Sequence, residues 1–450
     1  MKIFIALLFV MSTSLHAQDA VIAVGEAEQD KDKFVIDDPE MGSLSGDQKS
    51  LATQLTDILR NDFVFYKHKF NTVDYSDKGQ KSYSNPQLDK WAASGVTYFV
   101  ASEIRGNGKS IEAKYKVWSI LTKKELLSQT FSIMESSLRP NAHQIADAIY
   151  RSVTGVSSIF TSKIVFVSDR TSEKRDVMKE LYMMDFDGRR VEKITNFNSV
   201  VLSPAISPDN SKIMFSLIAT HKTKSAGRTK LLKNIDLKMF DMRTKKFSTI
   251  SDKPGINSGA IFNHQGDKIY FTMSYTGNAD INEMDLRSGK IRKVTAHPAD
   301  DVDASITQDG TLMSFLSNRP GRAHIYTIDP VGVDKDLKRI SFVGEFNATP
   351  RFSPTGKEIV FSSWVDNGFD LYRISSDGAN LVRLTKDFGS NEEPVYSSDG
   401  EFIVFTSKKL ISRSKAIQDL YLMNREGEIL GQLTKDFGKC LSPQWTNISK

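Results

Sequence analysis

Glu358-Ile-Val-Phe-Ser-Ser363, Asp370-Leu-Tyr-Arg-Ile374, Asp377-Gly378 and Leu381-Val-Arg-Leu-Thr385 form a pattern that recurs about six times through the second half of the chain. An apolar run ends in Ser or Asn, a second run follows, and the unit closes on an aliphatic residue with Thr or Ser. The copies span 163–195, 212–251, 268–295, 311–341, 358–385 and 402–434. Marker aromatics fall at Phe166, Phe215, Phe271, Phe315, Phe361 and Phe405, at intervals of 44 to 56 residues. Short strands repeating at that period, four to a unit, predict a six-bladed β-propeller.

The turns sort the loops. Asp377-Gly378, Asp187-Gly188, Ser288-Gly289 and Glu426-Gly427 supply the positive φ that a tight hairpin requires. A second turn type, Ser-Pro-Asp-Asn at 207–210, Gln-Asp-Gly at 308–310, Ser-Pro-Thr-Gly at 353–356 and Ser-Ser-Asp-Gly at 397–400, precedes each Phe-bearing strand. Antiparallel order places both turn types on one face of the disc. The opposite face receives the loops between strands two and three and the blade-to-blade linkers. It carries the long segments 170–179, 219–234 and 408–418, expected as irregular loops, and the acidic linkers Asp300-Asp301-Val302-Asp303 and Asn391-Glu392-Glu393. Long loops on a rigid scaffold are where binding concentrates. The first unit lacks an innermost strand, and residues 441–446 look like one with no blade to follow. This tail is therefore expected to complete the first blade and leave no open sheet edge.

Residues 39–155 follow a different pattern. Leu51, Leu55, Ile58 and Leu59 have helical spacing; 96–104, 111–120 and 125–133 read as strands; Ile145, Ile149 and Val153 return to helical spacing. Helix, three strands and helix predict a small two-layer α/β domain ahead of the propeller over 160–450. Residues 1–17 carry Lys2, the apolar run Ile3–Met11 and Ala17 before Gln18, a pattern expected of a secretory signal peptide cut after Ala17. Residues 18–38, rich in Asp and Glu, are expected to be a mobile arm. No later stretch is apolar enough to span a bilayer, so the mature chain is expected to carry no transmembrane segment.

Charge and chemistry narrow the function. Lys and Arg number 60 against 55 Asp and Glu, a net +5 that is mild for 450 residues. That balance does not suggest a nucleic-acid partner. Cys440 is the only cysteine, so no intramolecular disulfide can form. Gly42-Ser-Leu-Ser-Gly46 lacks the spacing of a nucleophile elbow. His68, His143, His221, His264, His297 and His324 form no pair with metal-ligand spacing, and no Gly-rich loop cradles a phosphate. The basic run His221, Lys222, Lys224, Arg228, Lys230 and Lys233 reads as contact with an acidic protein or an anionic surface, or as a solvated loop.

The text joining the two parts is more specific. Leu138-Arg-Pro-Asn-Ala-His-Gln-Ile-Ala-Asp-Ala-Ile-Tyr150, then Val153-Thr-Gly155 and Phe160-Thr-Ser-Lys-Ile-Val-Phe166, resembles the domain junction of the TolB family. Trp91-Ala-Ala-Ser-Gly-Val-Thr-Tyr98 matches that family's Trp-x-x-x-Gly pattern before a strand. The resemblance implies a non-enzymatic periplasmic scaffold of the Tol–Pal system, without cofactor or metal and expected as a monomer. Such a scaffold supports outer-membrane integrity and constriction at division. Its implied partners are the lipoprotein Pal, TolA, and other outer-membrane proteins or imported bacteriocins.

Carried onto this chain, the Pal-facing linkers are 255–259, 300–303, 346–349 and 390–393. The candidate contacts are Ile256, Asn257, Ser258, Asp300, Asp301, Val302, Asp303, Asn347, Thr349, Glu392 and Glu393. Ile256 and Val302 stand where relatives carry His and Thr. Asp303, Thr349 and Glu393, each expected just before an innermost strand, should ring the channel mouth. The TolA-facing arm would use Asp19, Val21, Ile22, Val24 and Glu26. The rival readings are a propeller lyase or peptidase, and a ligand-binding sensor propeller outside the Tol system.

Overall fold

A computed structural model of the chain describes residues 31–73, 83–173, 177–225, 228–412 and 415–448. The expected signal peptide and the arm residues Asp19, Val21, Ile22, Val24 and Glu26 lie outside the described residues. The arm expected over 18–38 ends earlier than its acidity suggested. Asp32–Ile36 is a strand that pairs in parallel with both Phe70–Thr72 and Tyr98–Asn107. Phe34, Val35 and Ile36 are buried, and their burial outweighs the acids around them.

The rest of the sheet is an antiparallel meander, Tyr98–Asn107, Ser110–Ser119 and Lys124–Ile133. Helices α1 (Gly46–Val64) and α3 (Leu138–Thr154) pack on one of its faces, over Ile104, Ile111, Ala113, Tyr115 and Val117. Ser45 opens α1 with a capping box. Its hydroxyl accepts from the Gln48 N–H, and the Gln48 side chain accepts from the Ser45 N–H. The Gln48 amide also donates to the carbonyls of Gly108 and Ser110, which ties the helix start to a strand turn. The sequence reading lacked one short helix, α2 (Leu88–Ala93), whose Trp91 covers the other face by stacking on Phe99 at 4.5 Å.

Residues from Lys163 onward form six four-stranded antiparallel sheets. We number the blades from Lys163. The closing Thr or Ser of the repeat has a specific job. The side-chain oxygens of Thr195, Thr295, Ser341, Thr385 and Thr434 accept from strand-three N–H groups of Leu181, Ile281, Ile325, Leu371 and Leu420, at 2.8–3.0 Å. The hydroxyl thus holds the end of the outer strand against strand three, where ladder pairing has run out.

The ring closes within blade 1. Cys440–Trp445 is the innermost strand and pairs with Lys163–Ser168, Trp445 facing Ile164 and Cys440 facing Ser168. The Thr446 N–H donates to the Lys163 carbonyl at 2.8 Å, and the Lys163 N–H donates to the Thr446 hydroxyl at 2.7 Å. Asn447 and Asn210 exchange two further bonds at 2.8 Å, joining the tail to blade 2.

The α/β domain sits on the tight-turn face and shares one core with blades 1 and 6. Fully buried Tyr66 carries the joint. Its ring meets Tyr150 at 4.5 Å and Phe402 edge-on at 4.9 Å. Its hydroxyl donates to Asp399 at 2.6 Å and accepts from the Ile159 N–H at 3.0 Å. His68 and Lys69 lie 3.2 and 2.9 Å from Glu401, and their hydrogen bonds hold that carboxyl down at about 2 against the effect of burial. The tight-turn face is therefore partly occupied by the chain itself, and the opposite face is left open.

Two of the expected long loops are not loops. Ala219–Asn234 continues the strands Lys212–Ser225 and Arg228–Asp241, paired without a slip from Lys212↔Asp241 to Ser225↔Arg228. Residues 408–418 extend Phe402–Ser412 and Lys415–Asn424, with one register shift between Leu410 and Ser412. Ladder bonds between the two strands satisfy the inward-facing backbone groups of each ribbon and leave the outward-facing ones to solvent, a pairing that an irregular loop of that length would lack.

Removing residues 440–450 is expected to cost more than truncating any single core side chain, beyond about 5 kcal/mol. Chemical denaturation would measure it. A truncated chain with the native midpoint would contradict closure by the tail.

Candidate functional site

The open face centres on the channel mouth. Every innermost strand breaks register at one point, and one residue there adopts left-handed φ. These residues are Ser203 (47°), Gly259 (60°), Asp303 (57°), Thr349 (51°), Glu393 (55°) and Ser442 (49°). Each is a β-bulge, and the five that carry side chains turn them toward the cavity. Five of the six are not glycine, and left-handed backbone costs such residues roughly 1–2 kcal/mol each. Ladder pairing on both sides of each bulge holds the conformation. All six residues line one cavity of about 290 Å³.

Asp303, Thr349 and Glu393 thus do meet around the mouth, but inside their strands rather than before them. Ser203, Gly259 and Ser442 complete the ring and were missed. Their signal was present: each of the six positions is followed by Pro or Ala, at 204, 260, 304, 350, 394 and 443.

The ring is braced within and between blades. The Arg351 guanidinium donates to Asp303 at 2.8 Å. Glu393 accepts from the Ser442 N–H at 2.6 Å, its hydroxyl at 2.8 Å, and the Thr406 hydroxyl at 3.1 Å. Thr349 shares a hydrogen bond with Ser362 at 3.0 Å. The hydroxyl of Ser216 donates to Ser258, which lines the cavity with Ile256 and Val302. The mouth therefore offers fixed hydrogen-bonding groups, with Asp303 paired to Arg351.

Three expected contact residues are turned inward. Asn257, Asp301 and Asn347 are each 0% exposed. Asn257 donates to the carbonyls of Ile235 and Lys253 and accepts from Ser251. Asp301 pairs with Arg319 at 2.8 Å. The Asn347 amide donates to His324 and to the Val343 carbonyl. At the first position of an innermost strand, a polar side chain pins the incoming linker. It is not available to a partner. Asp300 is exposed beside this pin and accepts from the Ala279 N–H. Glu392 is half-buried. Burial and then the neighbouring Glu393 charge push its carboxyl up to about 7, against the pull of Lys408.

Blade 5 adds what the sequence reading did not isolate. Phe346, 42% exposed, and Trp364, 38% exposed, both meet Phe369 edge-on at 6.0 and 5.1 Å. Phe342 lies exposed on the same linker. Exposed aromatics held rigid beside a polar cavity are the kind of side chain that anchors protein interfaces.

Among the described residues, one group has the composition of a metal site: Asp62, His143 and Asp187. It lies at the joint between α1, α3 and a blade 1 turn. His143 bonds Asp62 at 2.8 Å, and burial pushes the Asp62 carboxyl up to about 6. Arg139 pairs with Asp187, so that carboxylate is matched within the chain. The cluster reads as a buried part of the domain joint.

A six-bladed propeller with an α/β domain on one face and a braced polar mouth on the other defines the architecture. A family model described as the TolB beta propeller domain matches residues 150–449, and the chain belongs to that family. It is 30% identical over 235 residues to the protein TolB homolog of Chlorobium luteolum, covering 52% of this chain and 50% of the relative. It is 27% identical over 311 residues to the protein TolB homolog of Chlorobium chlorochromatii, covering 68% and 65%. The chain thus spans between half and two thirds of these curated relatives. The crystal structure of TolB from Acinetobacter baumannii shares the fold, with a TM-score of 0.76, 24% identity, and coverage of 93% of this chain and 97% of that one.

The raised Glu392 carboxyl has a signed consequence. A folded value above the unfolded one favours the native state at low pH, and that contribution is lost as pH rises through about 7. Glu392→Gln is therefore expected to match the native chain in thermal unfolding near about pH 4, below the ordinary carboxyl value, and to exceed it near about pH 8. An equal difference at both pH values would contradict this.

Proposed function

We propose that this chain is a non-enzymatic, periplasmic protein-binding scaffold of the Tol–Pal system, with Pal taken on the open propeller face and TolA by the N-terminal arm. Through these two partners it would join inner-membrane Tol proteins to the outer membrane, supporting envelope integrity and constriction. One observation carries the reading of the face. The mouth and the aromatic rim of blade 5 share the face that the α/β domain leaves free. A braced ring of hydroxyls and carboxylates beside rigid exposed aromatics suits capture of a folded partner. No helix among the described residues is long and apolar enough to cross a membrane, which is consistent with an exported protein.

The energetics divide between two sets of residues. Phe346 and Trp364 would supply desolvated anchor area, and the charged mouth would set orientation and association rate. Replacing both aromatics with Ala is expected to weaken Pal capture at least about ten-fold. Reversing Asp303 and Glu393 together should weaken it as well. Calorimetry or pull-down with purified Pal, alongside a thermal-unfolding control, checks both. Unchanged affinity in well-folded variants would overturn the assignment of this face.

The arm is tested separately. Asp32–Ile36 belongs to the core sheet, so the informative deletion is 18–30 rather than 18–38. It is expected to abolish TolA capture and leave Pal capture intact. Retention of both partners would contradict the arm's role.

A further inference from the structure

Two hairpins stand out from the open face. In blade 2, strands Lys212–Ser225 and Arg228–Asp241 run 14 residues each, against 6 in the corresponding Lys268–Met273 and Asp280–Asp285 of blade 3. The excess corresponds to roughly 25 Å of ribbon. In blade 6, Phe402–Ser412 and Lys415–Asn424 have 11 and 10 residues. Strand order directs both extensions to the face of the channel mouth, with blade 1 between them.

Their chemistry matches. No Asp or Glu occurs in 219–234 or in 408–418. In the first hairpin, Lys222 and Lys233 are exposed and flank Leu231 and Leu232, exposed at 64% and 51%. In the second, exposed Lys408 and Lys415 flank Leu410 and Ile411, exposed at 76% and 59%. Both ribbons are held stiff at the base. Asp236 accepts from His221 at 2.9 Å and from Asn234 at 2.8 Å, and the Asn234 side chain accepts from the Gly255 N–H. Lys409 lies over the rings of Phe388 and Tyr421, at 3.9 and 4.6 Å from their centroids.

We propose that these two hairpins dock the protein on an anionic phospholipid bilayer, with the leucine and isoleucine side chains entering the headgroup boundary and the lysines meeting lipid phosphates. The geometry favours a bilayer over a protein groove. Lys222 lies opposite Leu231, and His221 lies opposite Leu232, so the thin ribbon presents a leucine on each of its two faces. A groove would cover one face of such a ribbon. A fluid interface surrounds it on both. Two tips pointing the same way from separated blades can rest on one plane. Apolar side chains flanked by lysines combine burial with attraction to a negative surface.

The purified chain is tested by flotation with phosphatidylglycerol–phosphatidylethanolamine vesicles and with phosphatidylcholine vesicles. Binding is expected on the anionic vesicles only, falling as salt rises. Replacing Leu231, Leu232, Leu410 and Ile411 with Ser should reduce it at least ten-fold. Lys222→Gln, Lys233→Gln and Lys415→Gln together should do the same, with thermal unfolding unchanged because all seven side chains lie exposed. Equal binding to neutral vesicles, or native binding by either variant, would overturn the proposal. So would failure to bind any vesicle, an outcome that would return the basic hairpins to an acidic protein partner. Pal capture measured on the same variants separates this docking from the mouth, since neither variant touches the ring or the aromatic rim.

Discussion

Pairing of Cys440–Trp445 with Lys163–Ser168 is the contact on which the rest of the structure depends. Without the tail, Lys163–Ser168 would be an unpaired inner edge of a three-stranded blade. The tail strand covers that edge as the innermost strand of blade 1 and packs against the innermost strands of blades 2 and 6, which joins the two ends of the row. The channel exists only in the closed ring. Its mouth uses the tail directly: Ser442 is one of the six bulge residues and holds Glu393 by two hydrogen bonds. Closure and site are therefore one piece of structure, and damage to the tail should be felt at the mouth.

The α/β domain depends on the same ring. Tyr66 reaches the turn of blade 6 at Asp399, and Arg139 reaches the turn of blade 1 at Asp187. These are the blades that meet on either side of the closing strand. The domain thus covers the seam from the tight-turn face, and its core runs into that of the propeller through Phe160, Phe166, Tyr182 and Phe402. A scaffold that binds one partner at a free arm and another at the far mouth would carry both through this seam.

The repeat was legible because its chemistry is local. Each Gly turn and each closing Thr acts within a few residues of its neighbours, so the pattern survives in the text. What escaped was set by distant pairing. Asp32–Ile36 is a short apolar run among acids, and its partners lie at Phe70–Thr72 and Tyr98–Asn107. The segment 219–234 looks like a basic loop because its alternation is masked by lysines on both faces, yet its ladder is unbroken. At the mouth, Asp303, Thr349 and Glu393 were visible in the linkers as acidic or polar text, while Ser203, Gly259 and Ser442 are marked only by the Pro or Ala that follows them. Asn257, Asp301 and Asn347 looked equally available, and only burial distinguishes a pin from a contact.

The proposed function places the partner on the open face, at the mouth. A photo-crosslinking residue placed at Phe346 and, in a second chain, at Gln265 on the tight-turn face would test it in intact cells. A crosslink to Pal is expected from position 346 and none from 265. Crosslinking from 265 alone, or equally from both, would contradict it.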